Sequence, residues 1–236
     1  MNTFIAEFIG TAIVITIGNG VVANVVLPKT KGHNGGLVAI VLGWTMAVFI
    51  GVYVSSKISG GHLNPMVTIA LANAGKFDWN LVPAYILAQL LGAMLGAFFV
   101  WMLYKDHFNE TTDQAIILAC FSTGPAIRNL TQNFIVETFA SFVFMLSIFY
   151  IQPASIELGA LSALPVALLV AGIGFGLGGP TGWAINPARD FGPRIMHNLL
   201  PINGKGTSDW TYALIPTLGP ITGGILASFI YAHFLQ

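Results

Sequence analysis

Apolar residues run along this chain in long blocks, with charges confined to their edges. Glu7 to Lys29, Lys31 to Lys57, Asp78 to Lys105, Glu137 to Glu157 and Glu157 to Arg189 enclose 21, 25, 26, 19 and 31 residues free of Asp, Glu, Lys and Arg, and 27 more follow Asp209. A helix that crosses a bilayer needs about 20. With Gly, Pro and polar residues as breaks, the pattern predicts six spans near 4–27, 36–57, 81–104, 132–152, 160–179 and 210–234. The first block lacks a basic leader, carries Glu7 and runs past Gly20 without a small-residue cleavage site, so it reads as a span rather than a signal peptide. Trp79, Trp101 and Trp210 fall at span ends, where an amphipathic ring suits the headgroup layer.

The spans divide into two similar sets of three. Residues 105–131, which hold Asn109, Asp113 and Arg128, form the longest polar insert and join repeat 1–104 to repeat 132–236 within one domain, 1–236. Glu7 in Ala6-Glu7-Phe8-Ile9-Gly10-Thr11 matches Glu137 in Val136-Glu137-Thr138-Phe139-Ala140-Ser141, and Gly92 with Gly96 matches Gly219 with Gly223. Gly-x-x-x-Gly spacing lets helix backbones approach closely, and helix packing alone accounts for it. An odd number of spans per repeat makes the second repeat insert upside down, an arrangement that commonly builds a pathway between the halves.

Composition sharpens this picture. Only 8% of residues are charged and 55% are apolar, against roughly 25% charged in soluble domains, which excludes an ordinary soluble enzyme. Three Arg, six Lys and a net charge of zero make no concentrated positive field for nucleic acid. The single Cys120 forms no internal disulfide, and no His/Cys metal cluster or nucleophile–base pair is evident. Neither catalysis nor a cofactor is expected.

Two segments between spans carry the informative chemistry. Gly60-Gly61-His62-Leu63-Asn64-Pro65-Met66 and Gly182-Trp183-Ala184-Ile185-Asn186-Pro187-Ala188 each end in Asn-Pro. Asn is a strong N-cap and Pro suits the first helical position, so each segment starts a helix locally. Those helices should end near Gly75 and His197, which makes each about a dozen residues and about 18 Å long. Neither crosses a hydrocarbon core of roughly 30 Å alone; two dipping in from opposite faces would cross it together, N-termini facing. Irregular backbone at that depth is tolerated where it is packed in protein or lines a watery cavity. The carbonyls of Gly60 to Leu63 and of Gly182 to Ile185 would therefore face a narrow pore. Two helix dipoles meeting head to head place about half a positive charge each at its centre and disfavour cations. The amides of Asn64 and Asn186 would offer N–H donors to a neutral oxygen, and Arg189, one turn further on, is either a costly lumenal charge or a cation snorkelling to the interface.

The paired Asn-Pro motifs, the inverted three-span halves and the Arg after the second motif resemble the aquaporin (major intrinsic protein) family over essentially the whole chain. Asp190 directly after Arg189, in Asn186-Pro187-Ala188-Arg189-Asp190-Phe191-Gly192-Pro193-Arg194, and Pro216 in the sixth span resemble the aquaglyceroporin, or glycerol-facilitator, branch. The resemblance implies an all-α integral membrane fold of six transmembrane helices plus two half-helices around a central pore. Trp44, Gly174, Trp183 and Arg189 would form the constriction; water-selective relatives usually place His at the position of Gly174. Glu7 and Glu137 would brace the two Asn-Pro loops, and four copies would assemble, one pore each. Two departures stand out: Met66 where the family usually has Ala, and Trp183 where glycerol facilitators tend to have Phe.

A guanidinium beside two aromatic faces makes an amphipathic slot suited to a small polyol. The expected function is a passive multi-pass channel in the cell membrane for glycerol, other small polyols and water, with urea or neutral small acids as further solutes. Lipid surrounds it and its termini are cytoplasmic, although that orientation puts Lys29, Lys31, Lys105, Arg128 and Lys205 outside, against the positive-inside tendency. The alternative is a proton-coupled transporter, with Glu7, Glu137 and His62 as candidate titratable groups. Asp190 and Arg194, at i and i+4, are expected to form a local ion pair.

Overall fold

The computed structural model describes residues 2–151 and 159–234. Its long helices are α1 (Thr3–Val26), α2 (Gly36–Ser59), α4 (Val82–Leu103, entered through a single tight turn at Trp79–Leu81), α7 (Leu130–Phe149), α8 (Leu164–Leu177, entered through Gly159–Ala163) and α10 (Trp210–Phe234). The short ones are α3 (Pro65–Asn73), α5 (Lys105–Asn109), α6 (Gln114–Ala119) and α9 (Pro187–Leu199). Among the described residues, six helical stretches are long and apolar enough to cross a membrane, and no strand occurs. These match the six expected spans. The expected end of the fourth at 152 lies outside the described residues.

The two sets of three long helices make matching neighbours. α1 lies against α2 and α4 as α7 lies against α8 and α10, while half-helix α3 packs on α4 and α10 and half-helix α9 packs on the same two helices. The Gly-x-x-x-Gly pairs explain the closest crossings. A methyl group on Gly96 would sit 2.7 Å from the carbonyl oxygen of Ala12 and 2.8 Å from Cβ of Ile15; one on Gly219 would sit 2.8 Å from Cβ of Glu137, and Gly92 and Gly223 abut the carbonyls of Phe8 and Thr138. Any larger residue would separate α4 from α1 or α10 from α7 and so unseat the helices that carry Glu7 and Glu137.

The half-helices differ in length from the expected dozen residues. α3 has nine and α9 has thirteen, about 14 and 20 Å at 1.5 Å per residue. α3 stops early because Gly75 takes up the left-handed conformation (φ +70°), and the chain reverses there, with the Lys76 N–H donating to the carbonyl of Leu71 at 2.9 Å. Together the two still match a core of roughly 30 Å.

The 105–131 connection is more structured than its polarity suggests. Phe108, Ile117, Cys120 and Phe121 are fully buried, with Phe108 and Phe121 ring centres 5.6 Å apart. It covers the end of α9: the Phe121 ring meets His197 edge-on at 5.4 Å, and the Nδ2 of Asn19 donates to the carbonyl of Phe121 at 3.1 Å.

Candidate functional site

Both Asn-Pro motifs cap their helices through local chemistry. Asn64 Oδ1 accepts from the Met66 N–H at 2.9 Å, and Asn186 Oδ1 accepts from Ala188 at 3.0 Å and Arg189 at 3.3 Å. Pro65 and Pro187 occupy the first helical positions, where a missing N–H costs no bond. The two caps also tie to each other. Asn64 Nδ2 donates to the carbonyl of Ile185 at 2.9 Å and Asn186 Nδ2 donates to that of Leu63 at 2.8 Å. Each amide therefore spends one N–H on the opposite loop and retains the other, a reciprocal tie that motif spacing alone does not reveal.

The loops before the caps hold strained backbone. Leu63, Trp183 and Ile185 have φ of +50°, +41° and +43°, a region that costs non-glycine residues about 1–2 kcal/mol each. Two buried carboxylates hold them there. Glu7 Oε1 accepts from the N–H of His62 (3.0 Å) and Ser59 Oγ (2.6 Å), and its Oε2 accepts from the N–H of Leu63 (2.7 Å) and Gln89 Nε2 (2.8 Å). Glu137 accepts from the N–H groups of Ala184 (3.0 Å) and Ile185 (3.2 Å). Both carboxylates are buried behind the loops, and neither reaches the cavity wall.

That wall encloses about 200 Å³. It is lined by the apolar side chains of Val14, Val48, Val52, Val67, Leu71, Phe144, Ile148, Val166 and Val170, by the two loop segments Gly60, Gly61, His62, Leu63, Asn64 and Trp183, Ala184, Ile185, Asn186, and by Arg189 with Trp44 beside it. Gly182 is off the wall. The carbonyls of Leu63 and Ile185 already accept the asparagine donors, which leaves those of Gly60, Gly61, His62, Trp183 and Ala184 as the less encumbered acceptors.

The Arg189 guanidinium lies over the Trp44 ring, its carbon 4.2 Å from the ring centre. Among the described residues the guanidinium makes no hydrogen bond, and both Nη1 and the Trp44 indole N–H are buried without a partner. Trp183 completes this end of the cavity. Gly174 does not reach the wall; it lies behind the Trp183 indole, where a methyl group would be 3.2 Å from Cε2 of that ring and 3.1 Å from Val41. Gly178, one turn on, supports the same ring so closely that any Cβ would overlap Cε3, and Gly18 on α1 likewise supports the Trp44 ring. Sequence reading missed Gly18, because nothing local distinguishes it from the other 26 of the chain's 27 glycines.

Asp190 and Arg194 do more than pair. Their buried ion pair (2.8 Å) is joined by Asp190 accepting from the N–H and Oγ1 of Thr123 (2.7 and 2.6 Å), and by Arg194 donating to the carbonyls of Thr123 (2.9 Å) and Ser208 (2.8 Å). The pair thus fastens half-helix α9 to the 105–131 connection and to the loop before α10. Just outside, Arg128 makes a two-pronged ion pair with Asp209 (2.7 and 2.9 Å), and that guanidinium holds the Asp209 carboxyl below the ordinary carboxylate range. His62 contacts Thr68 Oγ1 through Nδ1 (3.1 Å) and packs against the rings of Phe77 and Tyr85, which also meet each other. Pro216 is buried within α10.

The geometry agrees with comparisons to known proteins. Residues 1–231 match the family model described as major intrinsic protein. The chain is 50% identical over 231 residues to a probable glycerol uptake facilitator protein of Thermotoga maritima, with 98% of each chain covered. It is 49% identical over 234 residues to the glycerol uptake facilitator protein of Streptococcus pneumoniae, covering 99% of this chain and all of the relative. The X-ray structure of the aquaglyceroporin from Plasmodium falciparum superposes with a TM-score of 0.86 at 33% identity, over 98% of this chain and 95% of that one. With its two capped half-helices, six spans and full-length similarity, this multi-pass membrane chain belongs to the major intrinsic protein family.

Proposed function

We propose that the chain is a passive, uncoupled channel for glycerol and other small neutral solutes, water included. The observation that carries this reading is the Arg189 guanidinium, lying over the Trp44 ring and without an acceptor among the described residues, in the wall of a cavity lined both by the polar loop backbone and by aliphatic side chains. Arg189 and the loop carbonyls serve a polyol's hydroxyls in succession, while Trp44, Trp183 and the valines accept its carbon edge. Gly174 acts indirectly by leaving room for the Trp183 ring, and Asp190 and Pro216 act through α9 and α10. Ions are excluded because no complete set of ligands replaces their water in so apolar a passage; neutral polyols, urea and undissociated small acids carry no such cost. The functional relatives named as facilitators support glycerol as the principal solute.

A proton-coupled mechanism is not favoured, since the carboxylates of Glu7 and Glu137 are turned away from the cavity and taken up by loop N–H donors. Four copies assemble in the cell membrane with cytoplasmic termini, their outward rows such as Leu42, Met46, Ile50 and Tyr53 on α2 meeting lipid or a neighbouring copy. The test is stopped-flow light scattering on proteoliposomes, with shrinkage in an impermeant sugar set against re-swelling in glycerol. Rapid, protonophore-insensitive movement of both water and glycerol is the expected result; uptake that collapses with the proton gradient would overturn the reading.

A further inference from the structure

Met66, the residue after the first Asn-Pro, is fully buried yet absent from the cavity wall, although Asn64 and Val67 on either side of it both line that wall. Its side chain runs the other way, onto α10. A methyl group on Gly224 would sit 2.7 Å from both Cγ and Sδ of Met66 and 3.4 Å from the methyl of Ala70, so the thioether occupies the space a side chain at 224 would need. The second repeat solves the same junction with different volumes. Gly92 and Gly219, like Gly96 and Gly223, are 127 residues apart; the same offset pairs Gly224 with Ala97, and the residue matching Met66 is Ala188. A long residue faces a glycine at the first junction, and the positions equivalent in sequence to that pair, Ala188 and Ala97, are both alanine.

From this contact we infer that Gly224 is a positioning residue for solute selectivity: it stows Met66 and thereby keeps half-helix α3 withdrawn from the lumen. The inference rests on the channel reading above. Met66 is coupled directly to the pore, because its N–H is the donor that Asn64 Oδ1 caps and Asn64 Nδ2 holds the Ile185 carbonyl. With α10 fixed against α7 through Gly219 and Gly223, a group added at 224 meets resistance from behind. Relief comes by moving Met66 and the first turn of α3 toward the cavity, where Asn64 and Val67 advance on the passage. A solute with three carbons feels that advance before water does.

The experiment measures glycerol and water permeability of wild type, Gly224→Ala, Met66→Ala and Met66→Ala/Gly224→Ala in proteoliposomes, each normalised to folded protein incorporated. Wild-type glycerol flux tests the channel reading itself; the ratio among variants tests the pair. Gly224→Ala should lower the glycerol-to-water ratio several-fold, because overpacking there is relieved by displacing the neighbouring groups. The double variant, which copies the alanine pair of the other repeat, should return the ratio to within about twofold of wild type by removing that overpacking. Met66→Ala alone should not lower the ratio. An unchanged ratio in folded Gly224→Ala, or a double variant as impaired as the single, would overturn the proposal. Should Gly224→Ala fail to assemble, the double variant decides: assembly with a wild-type ratio supports it, and a depressed ratio refutes it.

Discussion

The guanidinium carbon of Arg189 stands 4.2 Å from the centre of the Trp44 ring, and the guanidinium makes no hydrogen bond among the described residues. The contact with the ring face holds the cation without using its N–H groups, which are unspent among the described residues. Lysine keeps the charge but offers a flexible point donor in place of a planar fork. Arg189→Lys should lower glycerol permeability about tenfold, taking a desolvated cation–π contact as ~1–2 kcal/mol, while water permeability changes less than about twofold. Equal losses of water and glycerol would show that Arg189 is merely structural.

Trp183 is a second point at which packing sets the passage. Its indole rests on Gly178 and Gly174 of α8, and a Cβ at Gly178 would overlap the ring whereas one at Gly174 would be 3.2 Å away. Gly178→Ala should therefore push the indole into the cavity and depress glycerol flux several-fold more than Gly174→Ala does. Trp183→Phe should relieve the Gly178→Ala defect, because the smaller ring retreats into the seat. Stopped-flow re-swelling rates for the three variants and the Gly178→Ala/Trp183→Phe pair check the ordering; no rescue would refute the seat.

Much of this fold is legible in the sequence because its determinants are local. Six uncharged windows mark the spans to within a few residues, and Asn-Pro announces a capped helix within three positions. α3 ended early for an equally local reason, the left-handed Gly75. The site is only partly legible, since its supports come from distant segments: Ser59 and Gln89 reach Glu7 across 52 and 82 residues, and Thr123 reaches Asp190 across 67. The pair expected to be local, Asp190 with Arg194, gains its wider role from loops whose polar composition hides buried anchors such as Phe108 and Phe121. Gly18 and Gly224 carry no pattern of their own until the ring and the thioether that fill their missing side chains are in place.

Glu7 accepts four hydrogen bonds with two oxygens. Glutamine has one acceptor oxygen and turns an NH2 toward donors, so Glu7→Gln leaves at least one buried N–H unpaired beside the strained Leu63. The loss should be ~3 kcal/mol, from the cost of unpaired buried donors that had bonded to a charged group. Thermal unfolding in detergent would register it as a lower midpoint, and glycerol flux per folded channel should remain protonophore-insensitive. A variant of undiminished stability would show that the carboxylate does not brace the loop.

The ion pair within α9 and the one just outside it should respond differently to solvent. Asp190–Arg194 is wholly buried and tied to Thr123 and Ser208, so Asp190→Ala strands a buried guanidinium at a cost of ~3–5 kcal/mol, largely independent of salt. Arg128–Asp209 is partly open, with Arg128 half exposed, and its effect is small and screened. Its signature is pH. Because Arg128 lowers the Asp209 value in the folded protein, the pair's contribution is fully present above the unfolded carboxylate value of about 3.9 and is lost as pH falls through the lower folded value. Unfolding midpoints followed from pH 6 to pH 3 should therefore fall less steeply in Arg128→Ala than in wild type, and 1 M salt should flatten the difference. Identical acid slopes would mean that the pair is formed without stabilising the loop before α10.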